Sequence, residues 1–134
     1  MQEKYEYSTD NIKIKLLDKN AIVPKISDID RVISFYANED LIFLPNKRII
    51  IKLNLIMSFN KEHVLFISNV PQISMLNGLY TIPKFIRSSI TENLLITMEN
   101  TTSQRANIKK GQKIAEGILI PIPFTQIEVV KELA

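Results

Sequence analysis

Apolar and polar residues alternate with a period of two along most of this chain, the repeat of a strand that buries one face. Ile12, Ile14 and Leu16 alternate with Lys13, Lys15 and Leu17 and predict a first, half-buried strand. Asn20 to Ile33 is mixed, with Pro24 and two aspartates, and predicts a long loop. The apolar run Leu41-Ile42-Phe43-Leu44 stops at Pro45-Asn46, where proline fixes φ and asparagine tolerates the left-handed region. Arg48 to Met57 predicts one long strand, and His63 to Ser68 returns as its hairpin partner across the Asn60-Lys61-Glu62 turn. Pro71 to Ser74 breaks the pattern. Met75 to Thr81 reads as a strand or an exposed connection, with Gly78 as the positive-φ position. Phe85 and Ile86 begin a further segment, Leu94 to Met98 is a strand, and Thr101 to Ala106 is a loop. Ile108 to Gly111 turns the chain into a closing strand, Ile114 to Ile122, interrupted by Pro121 and Pro123. No stretch shows convincing helical spacing; Gln126 to Ala134 reads either as a weak helix or as an extended tail. Strands about 8 to 15 residues apart, joined by turns, predict an all-β barrel or sandwich.

Composition narrows the class. The 134 residues form one expected domain, with residues 1–10 and 126–134 as tails, and 46% are hydrophobic against 23% charged. Cysteine is absent, which excludes disulfides and thiolate zinc sites. The start, Met1-Gln2-Glu3-Lys4-Tyr5, lacks the apolar core of a signal peptide, and no apolar run reaches the roughly 18 residues of a membrane helix. A cytoplasmic protein with no membrane partner is therefore expected. The net charge of +3 is spread over single lysines (Lys13, Lys15, Lys47, Lys52, Lys84), with a cluster only at Lys109, Lys110 and Lys113. That scatter suits a solvated strand edge and argues against a nucleic-acid partner.

Few residues carry candidate chemistry. His63, the sole histidine, follows Glu62 and could form an acid–base pair, but with no nucleophile or second histidine in sight an exposed turn histidine is by far the better reading. Asp28 and Asp30, with Glu39 and Asp40, could hold a divalent metal or simply solvate loops. Arg87, Ser88 and Ser89 could bind phosphate through a guanidinium and two hydroxyls, or end a strand. Gly78, Gly111 and Gly117 are isolated, so no phosphate loop is present. Asn100-Thr101-Thr102 is a formal glycosylation sequon that reads as a turn.

The order of these pieces resembles the trimeric dUTPase family over residues 11 to 130. The carriers are Ile12-Lys13-Ile14-Lys15-Leu16, Ala21-Ile22-Val23-Pro24, Phe43-Leu44-Pro45-Asn46-Lys47-Arg48-Ile49-Ile50, Asn100 and, most specific, Lys109-Lys110-Gly111-Gln112-Lys113-Ile114-Ala115-Glu116. The last run is similar to the family's fourth motif. The resemblance implies a dUTPase-like β-barrel, a distorted jelly roll, assembled as a homotrimer. A surplus of Ile and Leu supports that assembly, with Leu53, Leu55 and Met57, or Ile118, Ile120 and Ile122, expected along a threefold axis.

The family's chemical motifs are altered. Its first, Ala-Gly-Tyr-Asp-Leu, is matched by Val32-Ile33-Ser34-Phe35-Tyr36-Ala37, without the aspartate. Its second, Pro-Arg-Ser-Gly, falls on Ile67-Ser68-Asn69-Val70-Pro71-Gln72-Ile73. In the third, the water-activating aspartate falls on Arg87 and the tyrosine on Ile90; arginine does not deprotonate and cannot serve as a base. Glu116 replaces a glutamine in the fourth motif, and no glycine-rich fifth motif is present. The expectation is a non-catalytic dUTPase-fold protein, a structural or regulatory interaction trimer with an unidentified protein partner and no cofactor. Arg87, Ser88, Ser89 and Lys113 are the candidate substrate-binding residues. The alternative is a divergent nucleotide-processing enzyme, a dUTP diphosphatase or dCTP deaminase relative using Mg²⁺ and Asp28, Asp30 or Glu92, or a nucleotide sensor. A third reading is an unrelated β-sandwich. The Ile-, Lys- and Asn-rich composition suits an AT-rich genome and, with the resemblance, a viral or phage source, placing the protein in a cell or virion.

Overall fold

The computed structural model describes residues 11–134, with Met75 and Leu76 in their backbone only; the tail expected at residues 1–10 lies outside the described residues. Among the described residues, twelve strands and one short helix follow in order: β1 (Lys13–Leu16), β2 (Lys25–Ile26), β3 (Ile33–Tyr36), β4 (Leu41–Phe43), β5 (Arg48–Lys52), β6 (Leu55–Ser58), β7 (His63–Ser68), α1 (Pro71–Asn77), β8 (Leu79–Thr81), β9 (Lys84–Ile86), β10 (Leu95–Asn100), β11 (Ala106–Ile108) and β12 (Lys113–Pro121). The largest sheet runs β2-β3-β12-β7-β9, a second runs β5-β10-β8, and the pairs β1-β6 and β11-β4 complete the fold. All of these pairings are antiparallel.

Period-two alternation explains the core directly. Ile33 and Phe35 point inward from β3, with Ala37 just past its end, Leu65 and Ile67 from β7, and Ile96 and Met98 from β10; in β12 the successive residues Ile114 and Ala115 are both buried, where its register with β3 shifts, and all join one buried cluster. The closing strand is continuous through Pro121, because Pro121 sits at the end of the ladder opposite His63 and needs no further amide donor.

Three expectations fail on local backbone chemistry. The run Arg48–Met57 is two strands in different sheets, β5 against β10 and β6 against β1. Asn54 breaks it: its φ of 57° is left-handed, and its amide N–H donates to Asn93 Oδ1 at 2.9 Å. Its side-chain Oδ1 accepts from Asn93 Nδ2 at 3.1 Å, and its Nδ2 donates to Asp18 Oδ2 at 2.7 Å. Consequently β7 is not the hairpin partner of β6; it lies between β12 and β9. The third correction is α1, a helix where a break and a strand or connection were expected. Pro71 starts it, its missing N–H costing nothing in the first turn, and Ser74 Oγ donates to Pro71 O at 3.0 Å. Gly78 ends it at φ 65°, as the sequence anticipated, and a Cβ there would sit 2.4 Å from Thr102 Cγ2.

The proposed axis residues also separate. Leu53, Leu55 and Met57 are buried within this chain's own core and are not available to a neighbour. Ile118, Ile120 and Ile122 are 48%, 36% and 39% exposed, so only the second set can face another subunit. Residues 122–134 carry no regular structure, and every one is exposed, which favours the extended-tail reading over the helix.

Candidate functional site

Arg87, Ser88 and Ser89 leave the end of β9 and, with Lys84, Glu92 and Asn93, line a cleft of about 450 Å³ floored by Met57, Ile86 and Leu94. The pleat decides which side chains reach it. Phe85 points outward and Lys84 inward, opposite the fully buried Ile67. Burial pushes the Lys84 ammonium below the ordinary lysine pKa. The charged form is therefore disfavoured in the folded chain, and this cost to stability disappears as pH rises through the depressed value toward 10.5. An anion placed in the cleft would reverse the shift.

The two hydroxyls are already engaged. Ser88 Oγ accepts from the Phe59 amide at 2.7 Å, pinning the cleft to the end of β6. Ser89 Oγ accepts from the Thr91 and Glu92 amides at 3.1 and 2.9 Å, which makes the turn that presents Glu92. Asn93 is committed to Asn54. Among the described residues, the side chains of Lys84, Arg87 and Glu92 have no ion-pair or hydrogen-bond partner. Three formal charges thus share one concavity with no protein group satisfying them.

The other candidates lie elsewhere. Lys113, expected with Arg87, is instead at the start of β12, where its Nζ contacts Glu116 Oε1 at 2.7 Å. That contact also answers the charge at Glu116. Asp28 meets Arg31 at 4.0 Å, and Asp30 Oδ1 accepts from the Val32 amide at 3.0 Å. Asp40 accepts from the Lys110 amide at 2.8 Å. No three His, Cys, Asp or Glu side chains come together among the described residues. The His63 ring is half-buried, and its Nδ1 is enclosed without a partner. Asn100, fully buried, is structural: its amide donates to Phe43 O, Leu44 O and Gln104 O, and its Oδ1 accepts from Thr102.

Asp30 carries a measurable consequence. The Val32 amide, then the Ser27 hydroxyl, hold its carboxyl below the ordinary value of 3.8. The folded chain then binds this proton more weakly than the unfolded one. The stabilisation is present above the unfolded value and is lost as pH falls through the folded one. The Val32 amide resonance is expected to titrate with a midpoint below pH 3.8, and Asp30→Asn is expected to abolish that titration.

No protein-family model matches the sequence. The chain is 27% identical over 126 residues to the deoxyuridine 5'-triphosphate nucleotidohydrolase of Clostridium tetani, covering 92% of this chain and 87% of that protein. A mutant dUTPase from phage phi11 of S. aureus superposes with a TM-score of 0.82 at 18% identity, over 92% of this chain and 98% of that one. The Staphylococcus bacteriophage 80alpha dUTPase bound to dUpNHpp gives 0.83 at 20% identity, over 93% and 90%. The chain has the dUTPase fold and is similar to dUTPases over about nine-tenths of its length. The unrelated sandwich is thereby excluded. Within the dUTPase fold, Gly111 occupies the turn before β12 at φ 89°, where the fourth-motif resemblance places it. The stretch matched to the first motif is β3, whose inward residues are all core. Sequence reasoning missed Lys84 as a site residue, although the outward Phe85 beside it was the signal.

Proposed function

We propose that this chain is a divergent dUTPase-superfamily protein that binds a deoxynucleoside triphosphate in the cleft between β9 and β10. The carrying observation is the unpartnered trio Lys84, Arg87 and Glu92 in one concavity. A guanidinium and a partly desolvated ammonium suit phosphate oxygens, and the apolar floor suits a base or sugar face. Of the three carboxylates that could serve a relocated site, only Glu92 reaches this cleft; Asp28 and Asp30 are occupied in their own turn. Glu92 is therefore the group assigned to orient or deprotonate water if the nucleotide is turned over, with Mg²⁺ neutralising the phosphates. The related 80alpha protein binds dUpNHpp, which supports a nucleotide ligand here and an intracellular place of action.

Titration calorimetry with dUTP and dCTP in Mg²⁺, paired with pyrophosphate and ammonia assays, tests the reading. Saturable binding is expected for at least one nucleotide. Arg87→Ala should weaken it about 10- to 100-fold, the weight of a charge-assisted hydrogen bond. Glu92→Gln should leave affinity within about threefold and remove any turnover. Absence of binding for both nucleotides overturns the proposal. Binding without product marks a nucleotide sensor, a role consistent with phage dUTPases described as controlling transfer of virulence genes.

A second reading, the non-catalytic interaction homotrimer, has its own observation. Phe85, Phe66 and Ile118 form one outward row across β9, β7 and β12, with Ile120 exposed in the next beside the buried Val64. The Phe66 and Phe85 rings meet at a tilt with centroids 5.0 Å apart, yet Phe85 stays 66% exposed and Ile118 48%. A contiguous apolar sheet face of this kind favours self-association. The two readings are compatible in one molecule.

A further inference from the structure

A second concavity, of about 690 Å³, lies between the end of α1 and the loop that joins β10 to β11. Roughly 17 Å of β10 separates it from the cleft between β9 and β10, and the two share no residue. Its two walls are tied together at the base. Thr101 donates to Gly78 O from its amide at 3.0 Å and from its hydroxyl at 2.8 Å. Thr102 Oγ1 donates to Gln104 O at 3.0 Å and Asn100 Oδ1 at 2.8 Å, and Ser74 Oγ accepts from Asn69 Nδ2 at 3.1 Å.

The polar groups here divide by task. Ser74, Thr101 and Thr102 hold the backbone. The side chains of Asn77, Ser103, Gln104, Arg105 and Asn107 line the concavity, and among the described residues they have no hydrogen-bond or ion-pair partner. Fixed walls that carry unspent polar groups are pre-organised, so a ligand pays little to order them.

The lining selects the ligand. Among the described residues, Arg105 is its only charged member, with no carboxylate to answer it. A planar guanidinium takes one carboxylate or one phosphate through two parallel hydrogen bonds. Three carboxamides and a serine hydroxyl surround it, and these both donate and accept, as sugar hydroxyls do. No aromatic or large aliphatic side chain is in the lining, so a nucleobase or an acyl chain finds no apolar surface there.

We propose that this concavity binds a sugar bearing one oxyanion, a phosphate or a carboxylate, with the anion on Arg105 and the hydroxyls on Asn77, Gln104 and Asn107. The site is separate from the nucleotide cleft and stands without it.

Amide-resolved NMR titrations of the full chain with glucose 6-phosphate and with gluconate test the proposal, and the two arms distinguish the anions. Saturable shifts are expected at Gly78 and at residues 103–107 for at least one of them. Inorganic phosphate and glucose should each bind at least tenfold more weakly, since each carries half of the chemistry. Arg105→Ala should weaken binding at least tenfold, as should Asn77→Asp, which sets a carboxylate against the anion. Both positions are exposed and neither side chain braces the fold, so amide shifts elsewhere should stay unchanged. Arg87→Ala should leave this binding unchanged, which separates it from the nucleotide cleft. No saturable shift with either probe overturns the proposal, and so does binding that survives Arg105→Ala. Inorganic phosphate or an acetyl-aspartate amide binding as tightly as the better probe overturns the sugar assignment.

Discussion

Replacing Asn100 with alanine is expected to lower the unfolding free energy by about 3 kcal/mol, measured by chemical denaturation of the two proteins side by side. The side chain is completely buried, at the end of β10. Its Nδ2 reaches Gln104 O at 2.7 Å and Phe43 O and Leu44 O at 3.3 Å, and its Oδ1 accepts from the Thr102 amide at 3.0 Å and hydroxyl at 2.8 Å. Alanine removes all of these bonds at a buried position; Leu44 O keeps the Lys47 amide and the Thr102 hydroxyl keeps Gln104 O, but the groups left without a partner cost more than their bonds contribute when made. The loop between β10 and β11 and the end of β4 should loosen together. Amide exchange at Thr102 and Gln104 should quicken well before the global transition. A change below about 0.5 kcal/mol would mean that water takes over the vacated positions.

Phe35→Ala is the other large effect, expected at about 4 kcal/mol and read from the same denaturation curves. Phe35 is wholly buried in β3, and its ring lies where a Cβ on Gly117 would come within 2.9 Å, so β12 can approach only because residue 117 is glycine. Removing the ring opens a cavity between β3, β7 and β12. Ser34→Ala on the opposite face of the same strand should change stability by less than about 0.5 kcal/mol, which separates core loss from strand propensity. The pair also tests the reading of the first motif, because a stretch whose inward side chains only pack should lose stability, not ligand affinity, when altered.

Much of the fold was legible because strand alternation survives wherever one face is buried. The positions of β1, β4, β7, β10 and β12, the left-handed Asn46 and Gly78, and the glycine turn at 111 all follow from local residue chemistry. The division of Arg48–Met57 was not legible, since Leu53-Asn54-Leu55 keeps the apolar alternation through the break. What stops the strand is a partnership with Asn93, far along the sequence. The short α1 was hidden for a related reason: seven residues starting at proline give too few turns to show a period, and the Gly78 cap is legible only once the helix is known. For the site, Arg87, Ser88 and Ser89 were found as a run, but their roles were not. The serines brace the backbone, and the free charges are Arg87 itself with Lys84 and Glu92 on either side. Lys113 was grouped with them on charge alone, and its partner Glu116, three residues on along the same strand, keeps it elsewhere.

The position of β12 in the largest sheet has a consequence for how the chain comes to be folded. β12 lies between β3 and β7, so Ile33 must find Gly117 and Ser68 must find Glu116 before the sheet exists. Contacts so distant in sequence close large loops, and such topologies fold in milliseconds to seconds. On the ribosome, β3 and β7 emerge long before their shared neighbour and wait with open edges, Phe35, Leu65 and Ile67 uncovered. The nascent chain is thus exposed to aggregation until its last third has been made, and its folding yield should depend on synthesis rate and chaperone supply more than its native stability would indicate.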